Sequence, residues 1–154
     1  MGPSRRRSAR RRARRRCVGA YNRLLNDPDP DVCRNAAKAW CLWESATPGW
    51  PPIDGLADRF KDPDYALAFA RIVTHYVLHN AWLADGILLR NADRLQDIPG
   101  TLIHGRFDFQ APLENAYALS RAWPRAELVV VDDAGHMPTG EVTRQLCLAT
   151  DRFR

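Results

Sequence analysis

The sequence predicts an α/β fold, a helical module followed by the carboxyl end of a parallel sheet. Three observations carry this. Residues 17–95 read as helices with apolar side chains at helical spacing, separated by proline-rich breaks. Thr101-Leu102-Ile103-His104 and Glu127-Leu128-Val129-Val130-Val131 are short apolar runs of the kind that form parallel strands covered on both faces. The stretch between them, Pro112 to Trp123, has helical character. The 31 residues from 101 to 131 are about what a strand–helix–strand crossover requires.

Each element has a local cause. Asn26-Asp27-Pro28-Asp29-Pro30 breaks residues 17–47 into two helices, with Asp29 as cap and Pro30 in the first turn of the second. Val32, Ala36, Ala37, Trp40 and Trp43 form the apolar stripe of that second helix. Thr47 to Pro52 holds three prolines and a glycine and reads as a loop. Asp62-Pro63 opens a helix from Tyr65 to about Asn80, whose stripe includes Phe69, Ile72, Val73, Tyr76 and Val77. A short helical turn is expected at 86–92. Ile98-Pro99-Gly100 marks the change to strand, Gly105 ends the first strand, and a helix over 139–152 closes the chain. Cys147 is expected to be core in that helix. Two parallel strands do not make a sheet that stands alone, so further strands are expected from elsewhere.

Charge narrows the function classes. The 154 residues carry a net charge of +5, but residues 1–16 hold nine arginines and no acid, leaving the other 138 residues at −4. A mildly acidic body argues against a basic nucleic-acid-binding face on it. The arginine run lacks the apolar stretch of a secretory signal, and mutual repulsion predicts a disordered tail over residues 1–16. One reading is an arm that binds polyanions weakly through counterion release. The other, preferred because no base-reading module accompanies it, is a string produced by out-of-frame translation or a misplaced start. No run approaches 18 apolar residues, so no membrane contact is expected. Cysteines at 17, 33, 41 and 147 form no CxxC pair and suit a reducing cytoplasm. His75 and His79, four apart on a helix, lack a third ligand and are read as packing or surface residues. There is no glycine-rich phosphate loop, so neither a metal nor a cofactor is expected.

Two polar residues lie just past the carboxyl ends of the strands, where open α/β sheets place their sites. These are Asp108, in His104-Gly105-Arg106-Phe107-Asp108, and His136, in Asp133-Ala134-Gly135-His136. A carboxylate that accepts the Nδ1 proton fixes the imidazole tautomer and leaves Nε2 free to take a proton from a nucleophile. Gly105 and Gly135 allow tight turns before each residue. Taken alone, the two are also compatible with ordinary loop residues.

The surrounding words are more specific. Ala39-Trp40-Cys41-Leu42-Trp43-Glu44, Tyr65 to Ile72 (YALAFARI), Ile98 to Asp108 (IPGTLIHGRFD), the Ala134-Gly135-His136 word and Ala149 to Phe153 (ATDRF) resemble proline iminopeptidase, a serine peptidase of the α/β-hydrolase fold. The resemblance runs from about residue 17 to 154. It implies that residues 17–95 are most of a helical cap domain and residues 96–154 the carboxyl-terminal portion of the hydrolase core. It implies Asp108 and His136 as triad acid and base, and Glu44 as a carboxylate binding the free amino terminus of a peptide that begins with proline. A second cap glutamate of the family falls where this sequence has Val73, and a cysteine of some members where it has Ala111.

The nucleophile and the oxyanion loop have no counterpart. The serines are Ser4, Ser8, Ser45 and Ser120, and none sits in a Gly-x-Ser-x-Gly word. The His-Gly-Gly-Pro-Gly type word of the family is absent too. The expectation is therefore a carboxyl-terminal half of a hydrolase, inactive alone, that is a gene fragment, a non-catalytic binding module, or the partner of a separate amino-terminal half.

Overall fold

The computed structural model describes residues 3–138 and 140–154, and the chain divides into two compact units. The first contains the chain up to Ser45 together with Asp54–Asp85. The second contains Ala46–Ile53 and Gly86–Arg154.

Three helices make the first unit: α1 (Pro3–Leu25), α2 (Pro30–Ala46) and α3 (Pro63–Leu78), with 3-10 turns at Leu56–Phe60 and Asn80–Trp82. The predicted break is realised as read. The Asp29 carboxylate accepts from the Asp31 amide at 2.8 Å, and Pro30 opens α2. Asp62 caps α3 by accepting from the amides of Asp64 and Tyr65, with Pro63 in the first turn. The core joins Val18 and Leu25 of α1, Ala36, Ala37, Trp40 and Cys41 of α2, and Ala66 and Ala70 of α3. The one fully buried hydroxyl of this core, on Thr74, donates to the Ala70 carbonyl at 2.8 Å and accepts from the Asn22 amide at 3.0 Å. The Arg71 guanidinium donates to the Leu25 carbonyl at 2.8 Å, satisfying one of the orphan carbonyls at the end of α1.

Two boundaries differ from the sequence reading. The helix expected to begin at residue 17 begins at Pro3, so the arginine run predicted to be disordered is helical; Met1 and Gly2 lie outside the described residues. Arginine and alanine are both strong helix formers, and the run continues without a breaker into Cys17–Leu25, which is anchored on α3. Arg15 adds a hydrogen bond to the Leu78 carbonyl at 3.1 Å. The division at residue 95 is also displaced. Residues 86–95 belong to the second unit, and so does the loop 46–53, which sequence alone had placed within the helical region.

The second unit carries the sheet. Strands β1 (Gly100–Gly105) and β2 (Ala126–Val131) are parallel and in register from Gly100↔Ala126 to Gly105↔Val131. Helix α5 (Leu113–Ala122) connects them, α6 (Gly140–Asp151) follows, and the four-residue α4 (Ile87–Arg90) precedes them. The buried apolar core here is small: Val131, Ala134 and Val142, with Ile103 packed against them. Trp123 fixes the start of β1, its indole donating to the Ile98 carbonyl at 2.8 Å while its ring lies against Gly100, where any Cβ would collide. Cys147, expected in the core, is exposed on α6. No helix among the described residues is long and apolar enough to cross a membrane.

Candidate active site

Three segments of the second unit converge beyond the carboxyl ends of β1 and β2. The loop after β1 turns back at once, as the Arg106 amide donates to the Val131 carbonyl and the Phe107 amide to the Ala134 carbonyl, both at 2.9 Å. Arg106 also pairs with Asp132 at 2.6 Å, tying the two strand ends at the surface. Gly105 is required here. A Cβ on it would collide with the backbone oxygens of Ala134 and Gly135.

This turn delivers Asp108 into a nearly closed position, its side chain 6% exposed. One carboxylate oxygen, Oδ1, accepts from the amides of Gln110 (3.0 Å) and Ala111 (2.7 Å), as in an Asx turn. That leaves Oδ2 aimed at His136 Nδ1, 2.9 Å away. An ionised carboxylate only accepts, so Nδ1 carries the proton of this bond and Nε2 is left as the basic nitrogen. A hydrogen bond to a charged group contributes on the order of 1.5–3 kcal/mol, enough to hold one ring orientation at thermal energy. The ring is 43% exposed. Its basic edge is thus open to a second reactant while its other edge is held by a buried acid.

The third segment is the loop 46–53. The Pro48 carbonyl accepts from the His136 amide at 2.7 Å, and the Gln110 amide side chain donates to Thr47 Oγ1 at 3.3 Å. Gly49 has φ +146° and lies against Phe107 and Gly135 so closely that a side chain would strike their backbone. This loop fixes the main chain on both sides of the Asp–His pair. Sequence reasoning missed it, since its one signal, a glycine among prolines, announces a turn but not its partner.

Among the described residues no group of three or more His, Cys, Asp or Glu side chains is arranged to hold a metal ion. The His75 and His79 rings meet at a tilt of 48°, centroids 4.4 Å apart, and His79 lies flat against Trp82. The Cys41 thiol in the first unit's core is not an activated one. Burial, with the nearby Glu44 carboxylate, pushes the Cys41 thiol up to about 11 against a smaller opposing effect of Arg59.

Sequence comparison places this geometry in context. The chain is 45% identical over 138 residues to a probable proline iminopeptidase of Streptomyces coelicolor, covering 87% of this chain and 42% of that protein. It is 41% identical to a probable proline iminopeptidase of Leptolyngbya boryana, covering 88% and 43%. It is 35% identical to the proline iminopeptidase of Arabidopsis thaliana, covering 89% and 37%. The chain is a relative of the proline iminopeptidases. It spans about two fifths of the length of these curated relatives. No protein-family model matches it.

Asp108 and His136 meet in the second unit. Glu44 belongs to the first, half-buried in the last turn of α2 and near enough to Cys41 to raise its thiol pKa. Val73 is partly buried against the apolar core of the first unit. An ionised group substituted there would need a partner or water to offset its desolvation.

Proposed function

We propose that the chain supplies the base and the orienting acid of a Ser-His-Asp peptidase of the α/β-hydrolase fold, one that releases N-terminal proline from peptides. The observation that carries the reading is the 2.9 Å bond from His136 Nδ1 to a buried Asp108 carboxylate at the carboxyl ends of adjacent parallel strands. In this role His136 Nε2 takes the proton from a serine hydroxyl as it attacks the prolyl carbonyl, then returns it to the leaving amine. Asp108 keeps the ring in the competent tautomer and stabilises the imidazolium while it exists. The helices of the first unit act as the cap, and Glu44 binds the substrate ammonium by charge and hydrogen bonding. Val73 removes a second anionic anchor, so amine recognition is weakened.

The sequence holds no Gly-x-Ser-x-Gly or oxyanion-loop word. We assign those parts to a polypeptide corresponding to the remaining three fifths of the relatives, whether joined to this chain or separate. Without a nucleophile and without donors for the oxyanion, even the residual catalysis that survives triad mutation is lost, so this chain alone is inactive. Four free cysteines fit a reducing, cytoplasmic setting. The arginine-rich start of α1 binds polyanions weakly and non-specifically, an effect that salt suppresses.

The test is release of a chromophore from a prolyl amide. The chain by itself is expected to give background rates. Mixed with the amino-terminal portion of the Streptomyces coelicolor relative, it is expected to give turnover that His136→Ala abolishes. Turnover by the chain alone that vanishes in His136→Ala would overturn the half-site reading.

A further inference from the structure

We infer that His104 is a positioning residue for the Asp108–His136 pair, acting as a neutral hydrogen-bond donor through Nε2; this rests on the acid–base reading of that pair. His104 is the fifth residue of β1, and its ring, 17% exposed, lies under the loop that carries Asp108. Its Nε2 is 2.7 Å from the Ala111 carbonyl oxygen and 3.7 Å from Asp108 Oδ2. The first is a hydrogen bond and the second is beyond one.

A carbonyl only accepts, so the proton must sit on His104 Nε2. Ala111 is thereby gripped from both sides: its amide donates to Asp108 Oδ1 at 2.7 Å, and its carbonyl receives the His104 proton. The loop from 105 to 111 closes on the strand that launches it. Rotation of the Asp108 carboxylate is opposed at Oδ1 by the Gln110 and Ala111 amides, and the shorter of the two bonds, from Ala111, depends on this grip. Oδ2 then has one orientation, toward His136 Nδ1.

The identity of the residue follows from the same distances. A permanent cation at this position, 3.7 Å from Oδ2, would compete with His136 for that oxygen. An apolar residue would leave the Ala111 carbonyl without its donor and free the loop. Neutral histidine supplies a donor of the right length without a charge. Glutamine, whose amide nitrogen reaches about as far from the backbone as Nε2, is the nearest substitute.

Long-range proton–nitrogen correlation spectra of the full chain, recorded above the imidazole titration range, read the tautomer of each histidine directly. Wild-type His104 is expected as the Nε2–H form and His136 as the Nδ1–H form. In His104→Ala, His136 is expected to lose its dominant Nδ1–H tautomer, and His104→Gln to restore it. Retention of the His136 tautomer in His104→Ala, with the far-ultraviolet circular dichroism unchanged, would overturn the inference. If His104→Ala fails to fold, the other two arms decide: a wild-type His104 in the Nδ1–H form, or loss of the His136 tautomer in a folded His104→Gln, would equally overturn it. A wild-type His136 in the Nε2–H form would instead contradict the Asp108–His136 pairing itself, and so is distinguishable from failure of the role given to His104.

Discussion

The two units are held together by different physics. In the first, three helices bury a continuous apolar core, with Leu25 and Ala70 fully excluded from water and the polar atoms of Thr74 and Arg71 paired to backbone or side-chain partners. In the second, the buried apolar cluster is Val131, Ala134 and Val142, with Ala92 buried apart from it, and order at the strand ends comes from backbone turns, close glycine contacts and the Asp108 network. The difference teaches where each unit is sensitive. Deleting methylenes damages the first, whereas adding a single carbon or removing a single donor damages the second.

The largest expected effect breaks the first unit. Leu25→Ala leaves a cavity where α1 ends against its neighbours, and large-to-small core changes of this type cost about 2–5 kcal/mol. Urea unfolding followed by circular dichroism at the helix band measures it. The second unit is probed in the opposite direction. Gly105→Ala adds a Cβ that meets the backbone oxygens of Ala134 and Gly135, so β1 and the His136 loop must separate. Overpacking of this kind costs about 1–3 kcal/mol, and amide exchange at Arg106 and Phe107, whose partners are Val131 and Ala134, is expected to quicken.

A smaller effect sharpens the comparison through pH. Cys41, buried in the first unit, has its thiol raised from 9.0 to about 11 in the folded chain. Between those values the unfolded chain gives up the proton and the folded chain keeps it, so this group lowers stability as pH rises from 9.0 toward about 11. Cys41→Ala is expected to flatten that decline in urea titrations across the same range. At neutral pH a thiol reagent is expected to label the exposed Cys17 and Cys147 first, with Cys33 and Cys41 labelled only on unfolding.

Legibility in the sequence followed the range of the forces involved. The Asp29-Pro30 and Asp62-Pro63 helix starts, the strand limits and the parallel crossover were all readable, because a cap, a proline or an apolar run acts within a few residues. The meeting of the Asp108 and His136 side chains beyond the strand ends was also expected from their places in the chain. What escaped was non-local or balanced. The role of Pro48 and Gly49 depends on a partner loop near residue 136, and nothing beside them names it. The start of α1 turned on a contest between helix propensity and arginine repulsion, and propensity with an anchored downstream half prevailed. His104 read as a strand residue, since its function lies in a hydrogen bond to a carbonyl seven residues on. Cys147 shows the reverse error, an apolar residue type on a helix face that is exposed.

The central claim is that this chain already contains an oriented acid–base pair. The tautomer of His136, compared between wild type and Asp108→Asn by proton–nitrogen correlation, tests it most directly. Asparagine keeps the shape but can present an amide donor to Nδ1, which drives the proton to Nε2. The account predicts an Nδ1–H ring in the wild type that converts to Nε2–H in Asp108→Asn. A ring with the same tautomer in both proteins would contradict it.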